Sequence, residues 1–497
     1  MQEVLKIHEH DNVAVALLPL SAGQEVVVGK ESIILLEDIP AGHKFSLGSL
    51  GEGSEVIKYG YSIGITIQPI EKGTWVHTHN LTTGLGELLH YEYEPNLPAQ
   101  SKASEEISYF YGYPREDGRV GIRNEIWIIP TVGCVNDVAR LLEKKGREYL
   151  TDTIDELVAF THPYGCSQLG DDHKNTQKIL AGLINHPNAA GILVLGLGCE
   201  NNHVDDMKKQ LGDYSQERVK FLVCQDWEDE IDQGTKLIKE LISYAASFKR
   251  VKVDARELVI GLKCGGSDGF SGITANPTVG AFSDLLVAKG GTTILTEVPE
   301  MFGAETILMN RCADRELFHK TVNLINDFKQ YFIDNRQPVY ENPSPGNKKG
   351  GITTLEDKSL GCTQKSGDAV VRGVMNYGEQ LDCTKHGLML LSSPGNDLVA
   401  STALAAAGAH IVLFTTGRGT PFGCPVPTIK ISSNTPLASM KKNWIDFDAG
   451  RMLAGMTLEQ LSEELMTLVL ATASGQKVKS EESGFRDIAI FKQGITL

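Results

Sequence analysis

The sequence predicts an α/β protein with a small β-rich module at its N-terminus and two α/β regions behind it. Three observations carry this. Residues 1–95 read as short β segments split by Gly/Pro turns, whereas residues 108–250 and 251–497 alternate apolar strands with helices. Six of the nine cysteines, Cys134, Cys166, Cys199, Cys264, Cys362 and Cys424, adjoin a glycine where an apolar run ends. The first three recur at intervals of 32 and 33 residues, in IIPTVGC, FTHPYGC and LVLGLGC. A repeat of about 30 residues with a strand, a Gly-rich turn and a helix is the βαβ unit. Ligands bind at the carboxyl ends of such strands, so this rim is where function is expected.

In chain order, the N-terminal segments are VAVALLPL, SIILLEDI, GYSIGITIQPI and TWVHTHN, with turns such as SAGQE, IPAGHKF and EKGT between them. EPNLPAQSKASEE (94–106) lacks apolar periodicity, and a linker is expected over 96–107. EIWIIPTV, LVAFTH, GILVLGLG and VKFLVCQ then each precede a helix: around Asn136–Lys145, His173–Asn185, near His203, and from Trp227 to Ser247. A second series starts at ELVIGLKCGG and runs through a helix near Pro277–Lys289, TTILTEV and a helix over 313–334. Tyr340–Gly367 reads as a long functional loop. A helix near 368–380, LMLLSS, an Ala-rich helix over 396–407, HIVLFTTG, TIKIS and a last helix over 457–473 complete a doubly wound pattern.

At 497 residues the chain is expected to hold about three domains. Its net charge of −16, from 47 basic and 63 acidic residues, disfavours nucleic acid but leaves room for local cations that hold an anionic small substrate. MQEVLKIHEHDN has no basic or apolar signal region, and no stretch approaches the ~18 apolar residues of a membrane span. Nine cysteines without a signal peptide point to reduced thiols, so a cytoplasmic protein with no membrane partner is expected.

Four groups of residues carry candidate chemistry. In Trp75-Val76-His77-Thr78-His79-Asn80, strand alternation puts His77 and His79 on one face, as an acid/base pair or as metal ligands. Two solvated histidines are the plain alternative. The strand-end turns follow: Cys166-Ser167-Gln168-Leu169-Gly170-Asp171-Asp172, Gly196-Leu197-Gly198-Cys199-Glu200-Asn201-Asn202, and Cys264-Gly265-Gly266-Ser267-Asp268-Gly269-Phe270-Ser271-Gly272. The second has no third glycine at dinucleotide spacing. The third lets backbone N–H groups approach an anion or hydroxyls. Glu297, Glu300, Glu305, Asp446 and Asp448 offer oxygen to a divalent cation, or charge to a helix start. Lys348, Lys349, Lys365 and Arg418, the last between two glycines, suit a carboxylate.

Together WVHTHN, VGIRNEIWIIPTVGCVN, GCSQLGDDH, GLGCENN, CGGSDGFSGITANP, TEVPEMFGAE, NPSPGNKKGGITTLEDKSLGCTQK, SPGNDLVA, TTGRGTPFG and WIDFDAG resemble the altronate/galactarate dehydratase family across the whole chain. The resemblance implies a β-clip (SAF-like) module at 1–95, a middle domain at 108–250 that makes a homodimer, and a Rossmann-like catalytic domain at 251–497. It also implies an iron(II)-dependent lyase, with manganese as a substitute, that removes water from a small sugar acid. For altronate, the best match in wording, the product is 2-dehydro-3-deoxy-D-gluconate in hexuronate breakdown. Galactarate, or a sulfolactate losing sulfite, is the alternative substrate, and a sugar-acid-binding regulator the alternative to an enzyme. On this basis His77 and His79 are the expected acid and base, either one alternatively a metal ligand. Glu297 and Glu305 are the expected metal ligands, Arg418 the carboxylate partner, and Asn202, Ser267 and Lys348 the hydroxyl partners. An iron–sulfur cluster on the Gly-flanked cysteines stays open as the other cofactor, although no C-x2-C pair occurs.

Overall fold

The structure, a computed structural model, describes residues 2–86, 88–98 and 108–497. The expected linker falls mostly at 99–107, outside the described residues. Just before it the chain is already docked: the Asn96 N–H donates to Asn310 O (2.8 Å), and the Tyr93 hydroxyl donates to Cys312 O (2.7 Å).

Short β-branched runs build the N-terminal module. Val4–Leu5, Val13–Ala16, Lys44–Ser46 and Trp75–Val76 pair antiparallel as one sheet, and Glu55–Lys58, Tyr61–Thr66 and Leu81–Thr82 form another. Its apolar interior does not stay within the module. Val13, Val56, Ile63 and Val76 pack with Ala304 and Leu360, so the module shares a core with the C-terminal region. The strand in WVHTHN ends at Val76, one residue before the first histidine. His77 to Asn80 form a turn closed by the Asn80 and Leu81 N–H groups on His77 O (3.0 and 2.9 Å), which removes the shared strand face expected for His77 and His79.

After it, strands β1 (Glu125–Pro130), β2 (Leu157–Ala159), β3 (Ala189–Gly196) and β4 (Val219–Val223) form a parallel sheet in the order β2-β1-β3-β4. β1 and β3 are buried along their whole length, which explains the apolar runs IWIIP and AAGILVLG; the buried Glu125 that opens β1 is paired with Arg486. Helices Asn136–Gly146, Gly170–Ile184, Val204–Leu211 and Glu230–Ala245 cover it. Tyr109–Pro114 pairs antiparallel with Val251–Asp254, so the chain enters and leaves this region side by side.

The second parallel sheet has seven strands: β5 (Val259–Cys264), β6 (Thr292–Leu295), β7 (Val371–Met375), β8 (Gly387–Leu391), β9 (Ile411–Thr416), β10 (Thr428–Ser432) and β11 (Phe447–Asp448). Their order is β7-β8-β6-β5-β9-β10-β11. Two expectations fail here. The helix expected near 368–380 is strand β7, whose VRGVM sequence pairs with β8. The long loop at 340–367 is largely helical: Pro345–Lys349 starts at a Ser344/Asn347 capping box, and Leu355–Thr363 is capped by Thr354. Every residue of the latter helix is buried, Glu356, Asp357 and Lys358 included.

Candidate active site

That buried helix is the keystone of the candidate site. Consecutive helical residues lie about 100° apart around the axis, so three adjacent charges face three directions. Glu356 accepts from the Thr83 hydroxyl (2.9 Å) and the Gly84 N–H (2.7 Å) of the N-terminal module. Asp357 accepts from Lys44 and Lys58 of the same module, each at 2.9 Å. Lys358 turns the other way and donates to Glu300 at 2.6 Å, just past the end of β6. Burial opposes a charged Asp357, but the two ammonium groups outweigh it and hold the carboxyl well below the usual range. Burial, with Lys58 close by, pulls Lys44 down to about 8.

The module meets the strand ends at a backbone-to-backbone contact. The Gly269 N–H donates to Gly350 O (2.7 Å), and a Cβ at Gly269 would stand 1.9 Å from Gly42 O. Only glycine fits there. The turn after β5 is fixed by buried Asp268, which accepts from Ser271, Ser433 and Asn434.

Four aromatic side chains of the module lie over this junction. Trp75 stacks on His77 with centroids 5.3 Å apart and touches His79 at 5.1 Å, while His43 packs edge-on to both Trp75 and His77. Lys44 donates to Thr353 Oγ1 at 2.6 Å, and Thr353 Oγ1 lies 2.9 Å from His77 Nδ1. With the ammonium proton on one lone pair of that oxygen, the Thr353 O–H is free to donate to Nδ1. In that tautomer the imidazole carries its proton on Nε2, which no described residue accepts. Burial, then Lys44 and His43, lowers the His77 pKa to about 3, so the ring is neutral.

Beneath lies a group that could bind a metal. Cys264 Sγ and Cys362 Sγ are 3.3 Å apart, and both donate to Glu300 Oε2, at 3.0 and 3.2 Å. Among the described residues this is the one set of three His, Cys, Asp or Glu side chains close enough for one ion. The hydrogen bond to Cys362, then burial, push the Cys264 thiol well up, so that sulfur keeps its proton while no ion is bound. Lys263, Lys358 and Lys365 surround the group, balanced by Glu297, Glu300 and Asp397. One divalent ion in place of two thiol protons leaves that balance unchanged. Two sulfurs and a carboxylate therefore fit a transition metal such as iron(II) better than a hard cation.

The residues singled out by the sequence are placed as follows. Ser267 is buried at the turn, its backbone carbonyl accepts from Asn347 Nδ2, and its Oγ has no partner among the described residues. Lys348 and exposed Arg418 make no side-chain hydrogen bond or ion pair with described residues, and the Arg418 Nε lies 3.7 Å from a Cβ built at Gly346, two residues before Lys348. Glu297 lies next to the metal-competent group but outside it. Its carboxylate contacts Lys263 and the Cys264 N–H, and its backbone is left-handed at φ +69°. Glu305 is a structural residue, taken up by Lys329, Tyr91 and the Gly303 N–H. Asn202 belongs to the middle sheet, where it donates to Thr131 O. Asp172 anchors the C-terminal tail through the Gln493 and Gly494 N–H groups, and Asp446 accepts from the Lys430 and Lys479 N–H groups. Asp448 accepts from the Gly450 N–H. Thr353, Lys44, Lys58 and Asp357 were not singled out by sequence. Their one legible trace is LEDK, three charges inside a stretch otherwise suited to burial.

Sequence comparison covers the chain almost end to end. Residues 2–84 match the altronate/galactarate dehydratase SAF domain, 112–246 the D-galactarate dehydratase/altronate hydrolase second domain, and 255–496 the D-galactarate/altronate dehydratase C-terminal domain. The altronate dehydratase of Escherichia coli (strain K12) is 52% identical over 100% of both chains, and that of Bacillus subtilis (strain 168) 54% identical over 100% of both. The galactarate dehydratase (L-threo-forming) of E. coli is 33% identical over 95% of this chain and 93% of its own. This chain belongs to the altronate/galactarate dehydratase family.

Proposed function

We propose that this chain removes water from D-altronate to give 2-dehydro-3-deoxy-D-gluconate. The observation that carries the reading is likeness of 52 and 54%, over full length, to two proteins named altronate dehydratase, against 33% for the galactarate enzyme. The reaction takes the proton from C2 and the hydroxyl from C3, and the resulting enol becomes a 2-keto acid.

The hydrogen-bond order on His77 suits the departing hydroxyl. Its Nε2–H is the proton to give, Nδ1 then takes the Thr353 proton, and Thr353 takes one from Lys44. The leaving group departs as water, with Lys44 as the reservoir. His79, exposed against Trp75, is left for the C2 proton. Arg418 and Lys348 supply unpaired cations for the substrate carboxylate, and the unpaired Ser267 hydroxyl binds a substrate hydroxyl. Cys264, Glu300 and Cys362 would hold the iron(II) that the family resemblance implies. When bound, it supplies Lewis-acid stabilisation of the charge left by C2 deprotonation.

Anaerobic incubation with iron(II) and separate aldonates and aldarates tests the reading. The 2-keto-3-deoxy acid is expected fastest from altronate. Faster formation from galactarate, or none from any acid, overturns it.

A further inference from the structure

The carboxyl end of the middle sheet takes no part in this chemistry, yet each of its four strands runs into a cysteine: β1 into Cys134, β2 into Cys166, β3 into Cys199 and β4 into Cys224. Cys224 packs against the apolar core beside the sheet, and burial pushes its thiol up to about 11. The other three are exposed. Free cysteines are usually buried, so three exposed thiols on neighbouring loops need a reason.

The loops that carry them are locked together. The Gly133 N–H donates to Tyr164 O (2.8 Å), the Asn202 N–H to Gly165 O (2.9 Å), and the Ser167 N–H to Asn201 Oδ1 (2.8 Å). Gly165, at φ +99°, lets the loops touch: a Cβ there would stand 1.9 Å from Thr131 O. Helices Asn136–Gly146, Gly170–Ile184 and Val204–Leu211 all begin from these loops, and their N-termini favour an anionic group.

A second observation points to a ligand. Ten buried side-chain polar atoms have no partner among the described residues, and four of them, Asn136 Oδ1, Gln168 Nε2, His173 Nδ1 and Asn202 Oδ1, belong to these loops or the helix starts behind them. Gln168 is 3% exposed, and its Oε1 accepts from the Gly165 N–H and the Thr176 hydroxyl, which fixes the amide with its NH2 group unmet. An unmet donor two residues from Cys166 suits a sulfide or thiolate acceptor.

The three sulfurs do not crowd one point as Cys264, Glu300 and Cys362 do. In a cuboidal cluster each thiolate binds a different iron, so its ligands stand further apart than those of a single ion. We propose that Cys134, Cys166 and Cys199 bind a cuboidal four-iron, four-sulfide cluster at the open edge of the middle sheet. Each thiol loses its proton and binds one iron. Neither Cys224 nor Glu200 is free for the fourth iron: Cys224 packs against the core, and Glu200 is held by Thr131 Oγ1 and the Leu197 and Gly198 N–H groups.

The test uses the purified full-length chain, incubated anaerobically with equal amounts of iron(II) and iron(III) and with sulfide, desalted, and measured without substrate, so its outcome is independent of the dehydratase reading. The expected result is visible thiolate-to-iron absorption with about four acid-labile sulfides per chain. The triple variant Cys134→Ser, Cys166→Ser, Cys199→Ser should lose both, while Cys264→Ser keeps them. Should the triple variant fold poorly, alkylation of the unaltered chain followed by mass spectrometry decides. The three rim thiols should be protected after loading and labelled after chelation, with exposed Cys383 labelled in both states. Absence of labile sulfide, retained absorption in a folded triple variant, or rim labelling that ignores loading overturns the proposal.

Discussion

Both parallel sheets carry glycine-flanked cysteines at their carboxyl rims, yet the two rims differ in what covers them. At the middle sheet Cys134, Cys166 and Cys199 stand exposed on loops tied mainly to one another. At the C-terminal sheet Cys264, 1% exposed, is roofed by the N-terminal module and by the helix Leu355–Thr363, which itself supplies Cys362, 4% exposed. A glycine flanks the cysteine at both rims. The cover decides whether its sulfur meets solvent or a ring of buried charge.

The contrast breaks most sharply if the roof is removed. Asp357→Asn leaves Lys44 and Lys58 buried without their counter-ion, and the chain should lose about 3–5 kcal/mol in denaturant unfolding. Cys264 and Cys362 should then alkylate at a rate closer to that of the open rim. A variant as stable as the unaltered chain would show that the roof is held by its apolar core alone.

Next in size is catalysis at the roofed rim. His77→Asn, and separately His79→Asn, should each lower kcat by about 10²–10⁴-fold, the usual worth of a positioned acid or base, with the circular dichroism spectrum unchanged. Near-normal turnover in both would take the chemistry away from the module.

Acid sharpens the comparison, because each rim buries a neutral histidine. His162 of the open rim is drawn down to about 4 by burial, and donates Nε2–H to Pro130 O while Nδ1 accepts the Tyr164 N–H. His77 of the roofed rim is drawn down to about 3. A folded pKa below the unfolded value of about 6.5 gives stability that is complete above that pH and is lost as pH falls towards the folded value. Each histidine should add a slope approaching about 1.4 kcal/mol per pH unit between pH ~6 and ~4. His162→Asn should remove its share of that slope, measured as unfolding free energy against pH.

The smallest effect tests the relay itself. Thr353→Val keeps the shape but cannot pass a proton, so kcat should fall about five- to tenfold. With Lys44 at about 8 as the reservoir, kcat in the unaltered enzyme should decline as pH rises through that value, and Thr353→Val should lose this limb.

Local rules made much of the fold legible. Period-2 runs, Gly-rich turns and Ala-rich segments placed most strands and helices of both parallel sheets, because each signal needs only its own residues. Longer-range effects were hidden. VRGVM at 371–375 is too short to separate strand from helix until β8 pairs with it. His77 and His79 looked like strand partners because nothing local announces that the strand stops at Val76. At the site, the glycine-cysteine turns, Glu300, Arg418 and Lys348 could be read as polar strand-end chemistry. Glu305 could not be told from Glu300, since one meets Lys329 and the other Lys358 only through tertiary packing. Lys44 and Thr353 left no mark, because a relay is made by neighbours 276 and 309 residues apart in sequence.

The most direct test is anaerobic turnover of altronate by the iron-loaded chain, unaltered and as His77→Asn and Thr353→Val, across pH 6 to 10. The account predicts formation of 2-dehydro-3-deoxy-D-gluconate that declines above pH about 8, falls steeply in His77→Asn, and loses its alkaline limb in Thr353→Val. Equal turnover in all three proteins with one shared pH profile would contradict it.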